Sequence, residues 1–330
     1  MFLGIRDIIH ARGRFTLIGS VVGLITLLLV MLTGLTGGLG AQNTSALRAL
    51  EPDRVVFSSP APSFTDSQVT AADVVTWERV DGVEEVRPLG TVQTRLEAGS
   101  TQAVAVLGLP GIGPGAVLSH SLIDTPPATV ELGGVTVPVA GTAPDEYYSH
   151  SPVVWVDTAT WQDIARTESV GTVLLIDGHV DAEATDMTVT TLRGSFAGLA
   201  SYQSEQGSLR TMQGFLYAIS ALVIVSFLTI WTIQRTRDLS ILRALGASPG
   251  YLVRDALGQA ALILAAGAVT GALAGWGLGT LAGKAVPFEL TPLTIAGPAL
   301  GIWVLGLAGA FLATRRVTRV DPLIALGGQG

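Results

Sequence analysis

FTLIGSVVGLITLLLVMLTGLTGGLGA, residues 15–41, decides the fold: 27 consecutive positions without one Asp, Glu, Lys or Arg. A helix needs about 20 apolar residues to cross the roughly 30 Å hydrocarbon core of a bilayer, so this stretch is long enough to span it. Arg6, Arg12 and Arg14 precede it, as basic residues precede a signal peptide. The apolar part of a signal peptide is only about 7–15 residues, however, and the segment reads as a retained anchor. Three further stretches have the same character: 212–234, 259–283 and 293–314. The whole chain agrees, being 48% hydrophobic and 14% charged, where ordinary globular domains are about 25% charged.

The basic residues give the topology, because arginine-rich flanks stay in the cytoplasm. The arm 1–14, the loop 235–258 and the tail 315–330 together carry ten arginines against four aspartates, a net of +6. Residues 42–211 carry eight arginines against 21 acids, a net of −13. Both termini and the 235–258 loop are therefore expected inside, with 42–211 and the short turn 284–292 outside. The fold class is an α-helical membrane protein with four transmembrane helices, one plus three, and an α+β extracytoplasmic domain between helices 1 and 2. Its expected setting is the plasma membrane, with the lipid bilayer as a partner. The acidic outer segment disfavours nucleic acid.

The outer segment has regular patterning of its own. Asp53–Ser58, Glu84–Leu96 and Gln102–Leu109 read as strands, and Thr129–Val139 as a hairpin turning at Gly133-Gly134. Val153–Val156 and Thr172–Ile176 are short apolar runs suited to buried strands. One helix is expected from about Ser67 to Val80, and another after an N-cap at Asp157-Thr158. Cysteine is absent, so no disulfide staples this domain. His120, His150 and His179 have no partnering cluster in the sequence and read as surface residues. The Tyr147-Tyr148 pair beside Asp145-Glu146 reads as a loop surface. No metal-site or hydrolase spacing is present, so no catalytic residue is assigned.

Inside, residues 234–248 read QRTRDLSILRALGAS. On a helix Leu239, Ile241, Leu242 and Leu245 make an apolar stripe with Arg237, Asp238 and Arg243 beside it. Gly246 can end that helix and Pro249 prevents its continuation. A short amphipathic helix of this kind either lies on lipid or inserts into a groove of a soluble partner. Span three carries Gly267, Gly271, Gly275, Gly279 and Gly283, a row that lets another helix approach closely. Pro298 beside Gly297 is expected to kink span four. The single lysine, Lys284, is followed by Ala285, so the chain has no G-x-x-x-x-G-K-[ST] loop to cradle nucleotide phosphates.

The 235–248 segment resembles the cytoplasmic signature of the FtsX/MacB-type ABC transporter permeases, R-x-x-[DE]-[LI]-x-[IV]-L-R-A-L-G-A-S. Arg315-Arg316-Val317 followed by Asp321-Pro322-Leu323-Ile324-Ala325-Leu326 is similar to that family's closing motif, and Val80–Val86 to a passage of its outer domain. Within the family the chain looks most like the heme exporter permeases of the HrtB type. The resemblance implies a homodimer working with a separate ABC ATPase subunit, which binds the ATP and whose groove receives Arg237–Leu245. It implies no enzyme activity in this chain and no resident cofactor, with heme as the transported substrate.

If the second helix continues outward, Tyr202, Glu205, Leu209 and Met212 share one of its faces. Met31 lies about 24 Å above Phe15, near the outer leaflet, and Tyr217 is at comparable depth. Thioether, phenolate and carboxylate all bind heme iron, so Met31, Glu205, Met212, Tyr202 and Tyr217 are the candidate cargo contacts. The plainer reading makes the methionines packing, the tyrosines interface anchors and Glu205 a solvated stalk residue. No span carries an internal charge, which argues against a proton or ion pathway. Other functions fit the same architecture: mechanical signalling to a cell-wall hydrolase, or export of another lipophilic compound, a peptide or a lipoprotein.

Overall fold

The computed structural model describes residues 12–123, 125–180, 186–234, 246 and 248–317. Two compact units divide the chain, 39–207 and the remainder.

The outer unit is built on a sheet. β1 (Arg54–Phe57), β2 (Val83–Glu97), β3 (Thr101–Gly108), β4 (Ala116–Ser119), β5 (Thr129–Leu132), β6 (Val135–Ala143), β7 (Tyr147–Tyr148), β8 (Ser151–Val156), β9 (Val173–Gly178) and β10 (Thr188–Thr190) run in the order β10-β1-β9-β2-β3-β8-β4-β6-β5. β7 pairs with β8 off this path. β2 is long enough to serve two neighbourhoods. Val83–Leu89 pairs with β9 and Gly90–Glu97 with β3. Its last residues also meet β5, Leu96 opposite Leu132, so the β2-β3-β8-β4-β6-β5 path returns on itself. That closure pairs edges that would otherwise be open. β3–β8 and β4–β6 are parallel and the other ladders antiparallel.

Alternation in these strands fills the interior. Leu96, Val104, Val106, Leu118, Leu132, Val154 and Val156 pack with Trp161 and Ile164 of the helix Thr158–Ala165. That helix starts where Asp157 accepts from Thr160 N–H at 3.0 Å. Trp161 lies over Gly90 and Gly108, and a Cβ at Gly108 would come within 2.7 Å of its Cγ. A second cluster surrounds the fully buried Trp77, whose Nε1 donates to Met187 Sδ at 3.2 Å.

Two sequence expectations are corrected here. The helix expected over 67–80 is only Ala71–Trp77, because Thr70 and Asp73 form a capping box that fixes its start. Val69 is engaged instead in a bridge to Gly171. Tyr148 is core and not loop surface: it is 5% exposed, its ring sits edge-on to Phe64 and its hydroxyl donates to Thr91 Oγ1. Burial pushes its phenol well above the usual tyrosine range. The short β4, β7 and β10 had no counterpart in the sequence reading.

Among the described residues, four helices are long and apolar enough to cross a membrane. They belong to Arg12–Ala49, Ala200–Gln234, Pro249–Ala282 and Pro292–Val317, named helices A, B, C and D below. A and B extend beyond their apolar stretches into residues of the outer unit, and C starts well before its own, at Pro249 behind the N-cap Ser248. Ile18, Val22, Leu29, Ile224, Leu228, Ala260, Leu264 and Ile302 form the interior. Polar side chains in the spans are satisfied locally, as lipid demands: Thr26 and Thr33 donate to Val22 O and Leu29 O at 2.8 and 2.7 Å. Gln213 reaches Thr36 Oγ1 across helices B and A at 3.2 Å.

Helix C meets helix A on its glycines. A Cβ at Gly267 would stand 2.7 Å from Gly19 O, one at Gly275 would stand 2.8 Å from Val30 Cγ1, and one at Gly271 would overlap the Gly23 carbonyl. Gly279 is crowded by Phe288, 2.7 Å from such a Cβ, whereas Gly283 has only ordinary contacts. The 284–292 turn folds onto helix A as well: Glu289 N–H donates to Gly34 O at 2.9 Å, and the Phe288 ring covers Gly34. Helix D runs continuously through Pro298.

Candidate functional site

The outer unit has a polar junction where three elements meet, and Glu205 is at its centre. β7 and β8 are joined by the two-residue turn Ser149-His150, with φ of 50° and 66°. Positive φ at both positions is the geometry of mirror-image hairpin turns, which Asn-Gly normally supplies. A non-glycine residue held there costs about 1–3 kcal/mol, so something must hold it. The holding contacts are visible. Ser149 N–H donates to Asn43 O at 3.1 Å and His150 N–H to Gln42 O at 2.9 Å, both on helix A.

The side chains continue the junction. His150 Nε2 lies 2.7 Å from Glu205 Oε1, and the proton of that bond sits on the ring nitrogen because an ionised carboxylate only accepts. Glu205 Oε2 accepts from Asn43 Nδ2 at 3.0 Å. The second hydrogen of that amide goes to Leu39 O at 3.1 Å, and Asn43 Oδ1 accepts from Ser201 Oγ at 2.6 Å. Ser201 Oγ is also 2.8 Å from Ser149 Oγ. Asn43 is fully buried, whereas the side chains of His150 and Glu205 remain 31% and 33% exposed. The carboxylate is therefore bonded on both oxygens yet open to solvent on one side.

This corrects two expectations. His150 is no lone surface histidine and Glu205 no freely solvated stalk residue, because a hairpin distant in sequence delivers the imidazole to helix B. His120 and His179 are exposed, as read. The signal that could have found the pair was indirect: Ser149-His150 separates two apolar, β-rich stretches at the spacing of a hairpin turn.

The other candidates are distributed as follows. Tyr202 stands one turn before Glu205 on helix B, its ring edge-on to Phe196 at 5.6 Å. Met31, Met212 and Tyr217 belong to the helical unit. Met31 is half-buried on helix A and Met212 is 57% exposed on helix B. Tyr217 packs its ring and hydroxyl against Gly301 of helix D, where a Cβ would meet its Oη at 3.1 Å. Tyr202, Glu205, Leu209 and Met212 all lie on the continuous helix B. Arg237, Asp238, Leu239, Ile241, Leu242, Arg243 and Leu245 fall outside the described residues. No group of three or more metal-ligating side chains occurs among the described residues.

Residues 211–322 match the family model "FtsX-like permease C-terminal". A protein of Staphylococcus epidermidis that is named for, and not shown in, hemin transport, the permease HrtB, is 22% identical, with 99% of each chain covered. An uncharacterised ABC transporter permease of Mycobacterium tuberculosis is 25% identical, again over 99% of each chain. Among solved structures, the periplasmic region of MacB from Actinobacillus actinomycetemcomitans aligns at a TM-score of 0.34 and 12% identity, covering 42% of this chain and 88% of that one. Residues 211–322 are thus similar to an FtsX-like permease domain, and they lie in a chain with an inserted α+β unit and, among the described residues, four helices long and apolar enough to cross a membrane.

Proposed function

We propose that the chain is the membrane subunit of an ATP-driven ABC efflux pump that exports heme. It works as a homodimer with two separate ATPase subunits, taking heme from the outer leaflet and expelling it mechanically. The observation that supports this reading is the whole-length likeness to a protein named as a hemin transport permease, joined to methionine, tyrosine and glutamate side chains along helices A and B, residue types that can ligate heme iron. Met31, Met212, Tyr202, Tyr217 and Glu205 are the cargo contacts, soft thioether and hard oxygen donors both being ligands of heme iron. The porphyrin itself is apolar and suits the lipid-exposed faces of the helices.

ATP is bound by the partner, since this chain has no phosphate-cradling lysine loop. The segment Arg237–Leu245 docks on that partner by its apolar stripe. Both termini are cytoplasmic, following the +6 against −13 division of charge. Because the chain lacks cysteine, a single introduced thiol reports orientation cleanly. Thr136→Cys should react with an impermeant maleimide added outside intact cells, and Ser248→Cys only after permeabilisation.

Hemin titration of the purified full chain in nanodiscs tests the cargo. A saturable Soret shift, weakened in Met31→Ala, Glu205→Ala or Met212→Ala, is the expected result. Unchanged binding in all three variants would sink the assignment of these residues.

A further inference from the structure

We infer that His150 is a latch on Glu205, a positioning residue that competes with heme for the carboxylate. The inference rests on the reading of Glu205 as a cargo contact and goes beyond it, because it assigns a role to a residue of the hairpin and gives that role a sign.

A hairpin with no task beyond connecting β7 to β8 is best served by Asn-Gly, yet Ser149-His150 occupies left-handed positions that disfavour side chains. The strained backbone is anchored by its own N–H groups on Gln42 O and Asn43 O. Those anchors do not involve the imidazole. The ring is thus a passenger of an already fixed turn, aimed at Glu205 Oε1 from 2.7 Å. Its other nitrogen lies 3.4 Å from Gln42 Oε1, and Nε2 is also 3.0 Å from Asn43 Nδ2.

The carboxylate is held unequally. Oε2 is bonded by the buried amide of Asn43, itself fixed by Leu39 O and Ser201 Oγ. Oε1 is bonded by the part-exposed imidazole alone among the described contacts. An incoming iron needs one carboxylate oxygen, and Oε1 is the one whose partner can swing aside. Asn43 then keeps Glu205 on the same rotamer while His150 yields. A support for the stalk and a latch predict opposite effects of removing the ring: loss of a support disorders Glu205 and weakens binding, whereas loss of a latch frees Oε1 and tightens it.

The test is hemin titration of the full chain in nanodiscs for wild type, Glu205→Gln, His150→Gly and His150→Gln. Glycine is chosen because it suits the left-handed backbone and keeps the turn, where alanine would add strain. An exposed histidine–carboxylate bond is modest, so His150→Gly should bind hemin about threefold tighter. His150→Gln retains a donor to Oε1 and should lie between the two. Glu205→Gln should bind about tenfold more weakly than wild type, a partial loss because other donors remain. If Glu205→Gln weakens binding but His150→Gly leaves it unchanged or weaker, the latch is overturned and Glu205 stands as a cargo contact. If Glu205→Gln binds hemin as wild type does, the reading of Glu205 falls, and the latch with it. A thermal melt of each variant shows whether the turn still folds.

Discussion

The outer unit and the helical unit bury their apolar side chains against different surroundings. In the outer unit, large hydrophobic residues face inward: Trp77, Phe57, Leu89, Leu107 and Leu174 are essentially inaccessible, and among the described residues of 42–207 only Val75 is prominently exposed. In the helical unit the same residue types face outward, with Leu293 at 78%, Leu222 at 69% and Phe215 at 66% exposure. A water-facing surface of that kind would aggregate, so the two exposures mean two solvents. The interiors differ in the same sense. Bulky side chains interdigitate between sheet and helices in one, while bare glycines let helix backbones touch in the other.

That contrast can be broken by substitution, and the largest effect is expected in the sheet unit. Trp77→Ala removes a fully buried ring and should cost the outer unit about 3–5 kcal/mol, read as an early unfolding step in denaturant. Next, one arginine tests both solvents. Leu222→Arg places a charge where lipid is expected and should cost about 3 kcal/mol of insertion, seen as lost membrane yield. Thr136→Arg, also exposed but on β6, should change stability by less than about 0.5 kcal/mol. Equal tolerance of both would contradict the division.

Within helix C the glycines are not equivalent. Gly271→Ala would drive a methyl into the Gly23 carbonyl and should destabilise the pair by about 1–3 kcal/mol. Gly277→Ala meets open space and should be neutral or gain up to about 1 kcal/mol of helix propensity. Melting in detergent should separate the two variants.

The smallest effect is at a cap. Burial works to raise the Asp157 carboxyl, but the hydrogen bonds it accepts from the Thr160 N–H and hydroxyl and from Ala159 N–H outweigh it, so its pKa lies below the ordinary value. Asp157→Ala should cost about 1 kcal/mol at neutral pH. A depressed carboxyl stabilises above its unfolded pKa, so the wild-type advantage should fade as pH falls below about 4.

The two units were also unequally legible. Spans, loop charges and the glycine row are local signals, each written into a window of one helix, and Gly267, Gly271 and Gly275 meet helix A at the spacing the sequence displays. Long strands such as β2 were equally plain from their alternating Val and Thr. What stayed hidden depends on partners far along the chain. Tyr148 looks like a loop residue until β8 folds beside it, and His150 has no neighbour in sequence that points to Glu205. The late start of that helix at Ala71 came from a capping box at Thr70 and Asp73 that a wider apolar pattern masked. Sequence spacing placed Tyr202, Glu205 and Met212 along one helix, but not the hydrogen bonds that hold the carboxylate.

The most direct measurement is ATP hydrolysis by the full chain assembled with the proposed ATPase partner in nanodiscs, followed against hemin concentration. The account predicts saturable stimulation that is lost when Met31, Glu205 and Met212 are replaced together. A basal rate indifferent to hemin in the wild-type complex would contradict it.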